Sequence, residues 1–136
     1  MYKKSFLSVV LFGLLLAFSV GNASAQSSNE DKKMAKMILE SFCQDFYGSC
    51  FSGRSYVENS LYVTRVEDAS LNQKKVYGFH SYKGRWGTLY EDYEFQAYIK
   101  ITPTSITIKF HKKSAPDLFH SDYYWETCEK TIHIDD

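Results

Sequence analysis

The chain has 136 residues with 16 Lys+Arg against 16 Asp+Glu, giving no formal net charge at pH 7. This length carries one modest core, and the charge balance excludes a bulk electrostatic pull toward nucleic acid or anionic lipid. Aromatic residues make up 17% of the chain, a content that favours strands and large side-chain burial.

Residues 1–25 read as a cleavable secretory signal. Lys3 and Lys4 form a positive start, an apolar run extends from Phe6 to Val20, and Ala23 and Ala25 stand at the positions a signal peptidase reads before Gln26. The run is short, contains Ser8 and Ser19, and ends without a positively charged stop, so cleavage is expected rather than anchoring. The expected mature chain, residues 26–136, is a single small exported domain in a bacterial periplasm or outside the cell. Without Lys3 and Lys4 it holds 14 basic and 16 acidic side chains. The basic doublets Lys32-Lys33, Lys74-Lys75 and Lys112-Lys113 are scattered and read as solvated surface.

From Glu30 to Tyr47 the apolar residues Met34, Ala35, Ile38, Leu39, Phe42 and Phe46 recur at three- and four-residue spacing, while Lys33, Lys36, Glu40 and Gln44 face away. This predicts an amphipathic helix, capped by residues among Ser27, Ser28 and Asn29 and stopped near Gly48. Beyond the connection 50–59 the period changes to two. Strands are predicted over Leu61–Val66, ahead of a turn at Glu67-Asp68-Ala69-Ser70, and over Lys75–Tyr82 with Gly78 at a bulge or close contact. Tyr93, Phe95, Ala97, Ile99 and Ile101 then alternate with polar residues, and Thr102-Pro103-Thr104-Ser105 turns the chain into Ile106, Ile108 and Phe110, an antiparallel hairpin. A final strand runs from Asp122 to Ile134. The expected fold is α+β, an N-terminal helix packed on a four- to five-stranded antiparallel sheet. In element order it resembles, by architecture alone, folds of the cystatin or nuclear-transport-factor (NTF2-like) type.

Export permits disulfides, and Cys43, Cys50 and Cys128 allow three pairings. Cys50–Cys128 is preferred because Cys128 is in phase with Ile132 and Ile134; Cys43–Cys50 is its nearest rival. The four histidines of the mature chain, His80, His111, His120 and His133, match no compact metal motif. Glu91, Asp92 and Glu94 supply acids, of which Asp92 and Glu94 lie on a strand's polar face where acids usually meet water, and there is no Gly-x-Ser-x-Gly elbow or phosphate loop.

The segment from Phe79 to Tyr90 stands out. Gly84 and Gly87 make it a turn, and Tyr82, Arg85, Trp86 and Tyr90 are residue types that dominate interfaces. They are the candidate binding loop; the competing reading has Trp86 and Tyr90 capping an open end of the core. The expected function is binding rather than catalysis: an exported interaction domain, inhibitor- or immunity-type, with a protein or small-ligand partner. No cofactor, metal or nucleic acid is expected, nor stable membrane insertion after signal cleavage. The alternative is a small secreted hydrolase using histidines and carboxylates in the concave face of the sheet.

Overall fold

The computed structural model describes residues 29–134. The signal segment 1–25 and the capping positions Ser27 and Ser28 lie outside the described residues. One helix, α1 (Asn29–Ser49), packs on a curled antiparallel sheet of β1 (Ser55–Tyr56), β2 (Tyr62–Ser70), β3 (Gln73–Lys83), β4 (Leu89–Thr102), β5 (Ser105–Ser114) and β6 (Tyr124–His133). Strands β2 to β6 form a meander, and β1 pairs with the end of β3 left uncovered by β2. The fold is therefore α+β with an antiparallel sheet. Among the described residues no helix is long and apolar enough to cross a membrane.

The helix stripe is wider than its spacing predicts. Cys43 and Tyr47 are buried beside Ala35, Ile38, Leu39, Phe42 and Phe46. Glu40 does not face away: it accepts hydrogen bonds from the Tyr56 hydroxyl and from Asn59 N at 3.2 Å, because the chain after α1 returns along that flank. The sheet's inner face presents Val76, Phe95, Ala97, Ile99, Ile108, Phe110 and Cys128 to the helix. The outer face carries the alternate residues and has no layer of described residues over it.

One local expectation changes and one holds. Glu67-Asp68-Ala69-Ser70 is not a turn but the end of β2, since Glu67 and Asp68 stand opposite Lys75 and Lys74 and opposite charges stabilise a cross-strand pair. The turn falls at Leu71-Asn72, where Asn72 takes the positive φ (62°) that Asn tolerates. Gly78 is a close approach: a Cβ there would collide with the Tyr62 carbonyl oxygen and the Phe95 ring. The ladder is also irregular there, as expected, because Thr64 is inserted between the pairs Val63–Gly78 and Arg65–Tyr77. A further bulge lies between β3 and β4, where Asp92 (φ 57°) is inserted between the pairs His80–Tyr93 and Tyr82–Tyr90 and donates its N–H to Ser81 Oγ at 3.1 Å.

The segment 50–56 works as a strap. Cys50 is bonded to Cys128 on β6, Arg54 grips Glu126 two residues earlier on that strand, and Tyr56 pairs with Tyr82 on β3. It thus ties the two sides of the sheet together beyond the C-terminal end of α1. Cys43 is the free, buried thiol. Burial, and then Glu40, push it well above the ordinary thiol range, which disfavours the thiolate.

Candidate functional site

Beneath the strap the inner face turns from apolar to polar. Lys112, fully buried on β5, donates to Ser114 Oγ and lies 3.6 Å from Glu126 Oε1, with its ammonium 3.9 Å from the centroid of the Tyr82 ring. Ser114 in turn donates to Glu126 at 2.6 Å, and Arg54 holds both Glu126 oxygens at 2.5 and 2.9 Å. Burial works against the charge of Glu126, but Arg54, Ser114 and Lys112 together hold its carboxyl below the usual range. Burial and the Arg54 charge push Lys112 down to about 7 despite the pull of Glu126. His80 is buried beside this cluster. Its Nδ1–H donates to the Tyr93 carbonyl at 3.1 Å, which leaves Nε2 to accept from the Tyr47 hydroxyl at 2.6 Å and fixes a neutral tautomer. Burial pushes its pKa down to about 3.

This network braces the end of the sheet where the β3–β4 and β5–β6 connections emerge. Of the candidate loop residues, Tyr82 lies inside, with its hydroxyl accepting from Ala115 N at 2.9 Å. Tyr90 is half-buried, its ring 5.1 Å from that of Tyr82 and over Gly84. Arg85 folds back, its stem 3.0 Å from the position a Cβ on Gly53 of the strap would take. Trp86, by contrast, is 91% exposed. The structure thus divides the four residues: Tyr82 and Tyr90 belong to the core, Arg85 rests on the strap, and Trp86 projects.

A second projection escapes the sequence reading. Asp117 and His120 exchange both backbone hydrogen bonds, at 2.9 and 3.3 Å, closing a two-residue turn whose tips are Leu118 and Phe119, 92% and 85% exposed. Asp117 Oδ1 accepts from Phe119 N, His120 N and His120 Nδ1, while its Oδ2 accepts from the Tyr124 hydroxyl at 2.6 Å. The His120 ring stacks on Tyr124 with centroids 3.6 Å apart. These donors, led by Tyr124, hold the Asp117 carboxyl well below its usual range. Rings of Tyr82, Tyr90, Tyr93 and Tyr123 run in contact from one connection to the other, at 5.1 to 6.0 Å. The signal in the sequence was Asp117 followed by two large apolar residues inside a segment otherwise composed as a loop.

The histidines and acids do not gather in one place: His80 is in the core, His111 on the outer face, His120 in the exposed turn and His133 at the far end of β6. Among the described residues no group of three or more His, Cys, Asp or Glu side chains is arranged to hold a metal ion. Comparison with models of known families, with curated proteins and with solved structures finds no match to this chain.

Proposed function

We propose that this is an exported binding domain that presents the strapped end of its sheet, with Trp86, Leu118 and Phe119 as apolar tips, to a cleft or pocket of another protein. The observation that carries this reading is the Leu118-Phe119 pair, held almost fully in water on a turn pinned by the Asp117 carboxylate. Exposed large apolar side chains on a rigid mount mark an interaction site, and pre-organisation lowers the entropic cost of using it. Tyr123 and Leu89 extend the exposed apolar surface at the same end. Glu91, Asp92, Glu94, Asp117 and Asp122 outnumber the cations Lys83, Arg85 and Lys113 around it, which favours a partner with a basic rim over an anionic membrane. The disulfide fits an oxidising compartment and supports export. An inhibitor-type role suits two apolar connections at one end of a helix-covered sheet, and the element order supports the cystatin-type or NTF2-like analogy of architecture.

The experiment is site-specific photo-crosslinking in the native envelope or medium. A photoreactive residue at position 86 is expected to yield one adduct, lost in Leu118→Ser, Phe119→Ser protein of unchanged melting temperature. Leu71, 86% exposed at the opposite end of the sheet, is the control position. Equal adducts from position 71 would overturn the reading.

A further inference from the structure

The outer face of the sheet bears a different surface, one the apolar tips do not use. Across it run five cations, Arg65, Lys75, Lys100, Lys109 and Lys113, against three acids, Glu67, Glu94 and Glu129. Two of the cations are engaged: Arg65 pairs with Glu67 at 3.1 Å and Lys113 with Glu94 at 3.6 Å. Lys75, Lys100 and Lys109 have no carboxylate within ion-pair distance among the described residues, although Glu67 and Glu129 stand in register with Lys75 and Lys109.

These cations surround aromatic rings. Tyr98 on the middle strand β4 is flanked in register by Lys75 on β3 and Lys109 on β5. The Lys75 ammonium lies 5.4 Å from the Tyr98 centroid and 5.0 Å from that of Tyr77. The His111 ring meets Tyr98 edge-on at 6.1 Å. Burial, then Lys109 and Lys75, hold His111 below its usual range, which favours the neutral imidazole, and its Nδ1 meets the Thr127 hydroxyl at 2.7 Å. Around them the face offers neutral hydrogen-bonding groups, Gln96 beside Tyr77 and His111, and the paired hydroxyls of Thr107 and Thr131 at 2.9 Å.

We propose that this outer face binds an acidic oligosaccharide, with a sugar ring on Tyr98, its carboxylate between Lys75 and Lys109, and its hydroxyls on Gln96, His111 and neighbouring threonines. The C–H face of a pyranose packs flat on an aromatic ring, and a carboxylate is what the two ammonium groups lack, Lys75 resting on Tyr77 and Tyr98 alone. A single-stranded nucleic acid would also stack and pair with lysines. The saccharide is preferred because the disulfide fits an oxidising compartment, and because uncharged donors and acceptors next to the rings suit a polyhydroxylated ligand better than a run of phosphates.

The test is titration of the purified protein with trigalacturonate and trimannuronate, read by amide shifts and calorimetry. At least one uronate is expected to shift Tyr77, Tyr98 and His111. Its affinity should fall by about tenfold or more in Lys75→Ala, Lys109→Ala protein and in Tyr98→Ala, weaken with salt, and change less than about twofold in Trp86→Ala. The last variant separates this site from the apolar tips. Equal binding of the methyl-esterified sugars, absence of binding by either uronate at millimolar concentration, or tighter binding of a single-stranded thymidine hexamer would each overturn the proposal.

Discussion

Replacing Lys112 by Met tests whether a buried cation sets the pH response of this fold. The side chain is 0% exposed, and burial followed by the Arg54 charge brings its pKa down to about 7. The folded value lies below the unfolded one near 10.5, so between these limits the unfolded chain holds more protons and stability rises with pH. At 1.36 kcal/mol per unit, the wild type should gain about 3 kcal/mol from Lys112 between about pH 6 and about pH 9.5, most of it above neutrality. Lys112→Met lacks this contribution, while Glu126 keeps Arg54 and Ser114 as partners. Urea unfolding of both proteins across that range supplies the difference. How well the Met side chain packs sets the offset between the two curves; the ammonium alone sets their difference in slope. Parallel curves would refute the reasoning, because they would mean that the attraction of Glu126 keeps Lys112 charged inside the protein.

His80 makes a second, acid-side test. Its pKa is pushed down to about 3 from an ordinary 6.5, so stability is complete above about pH 6.5 and falls as pH drops through that window. Between about pH 7 and about pH 4 the loss from this residue is about 3 kcal/mol, and His80→Gln should flatten the decline by that amount in urea titrations. Gly78→Ala places a methyl group against the Tyr62 carbonyl and the Phe95 ring and should cost about 3 kcal/mol or abolish folding, read as a lost melting transition. Thiol titration should find no reactive group in the native protein, one after denaturation and three after reduction, because Cys43 is buried and the other two cysteines are bonded. Opening the Cys50–Cys128 bridge, which closes a separation of 78 residues, should cost about 4 kcal/mol by loop entropy.

The regular elements were legible because their periods are long and unmixed. Ile106, Ile108 and Phe110 face the helix as their alternation predicts, and the stripe from Ala35 to Phe46 is the buried side of α1. The Cys50–Cys128 bridge followed from phase, since Cys128 shares a face with Phe110 and Ile132. What the pattern missed are effects of register and of contacts distant in sequence. The acids Glu67 and Asp68 resemble a turn until their lysine partners across the ladder are known. Lys112 belongs to a charged doublet that composition assigns to the surface, yet alternation with Phe110 places it inward, and only Arg54, 72 residues from Glu126, completes the cluster that admits it. The Leu118-Phe119 turn was not legible because neither helical spacing nor alternation marks two apolar residues at the tip of a connection; only the Asp117–His120 backbone pair defines it.

The buried polar cluster and the exposed tips are connected by a mechanical argument. A sheet edge held only by ladder hydrogen bonds would let the β5–β6 connection move, and a mobile apolar turn would lose on binding the freedom it had kept in solution. Here the strap fastens β6 through the disulfide and the Arg54–Glu126 pair, Ser114 joins that pair to the end of β5, and Tyr82 anchors Ala115 directly before the turn. The ionised groups under the strap are costly to bury, and apolar residues could fill the same volume at less cost. Their geometric effect is to fix where β5 ends and β6 begins, and so the direction in which Leu118 and Phe119 point. Relaxing this brace through Arg54→Met should increase backbone mobility at residues 115–123 in NMR relaxation more than at the Leu71 turn. Equal mobility at the two turns would show that Asp117 orders the apolar tips by itself.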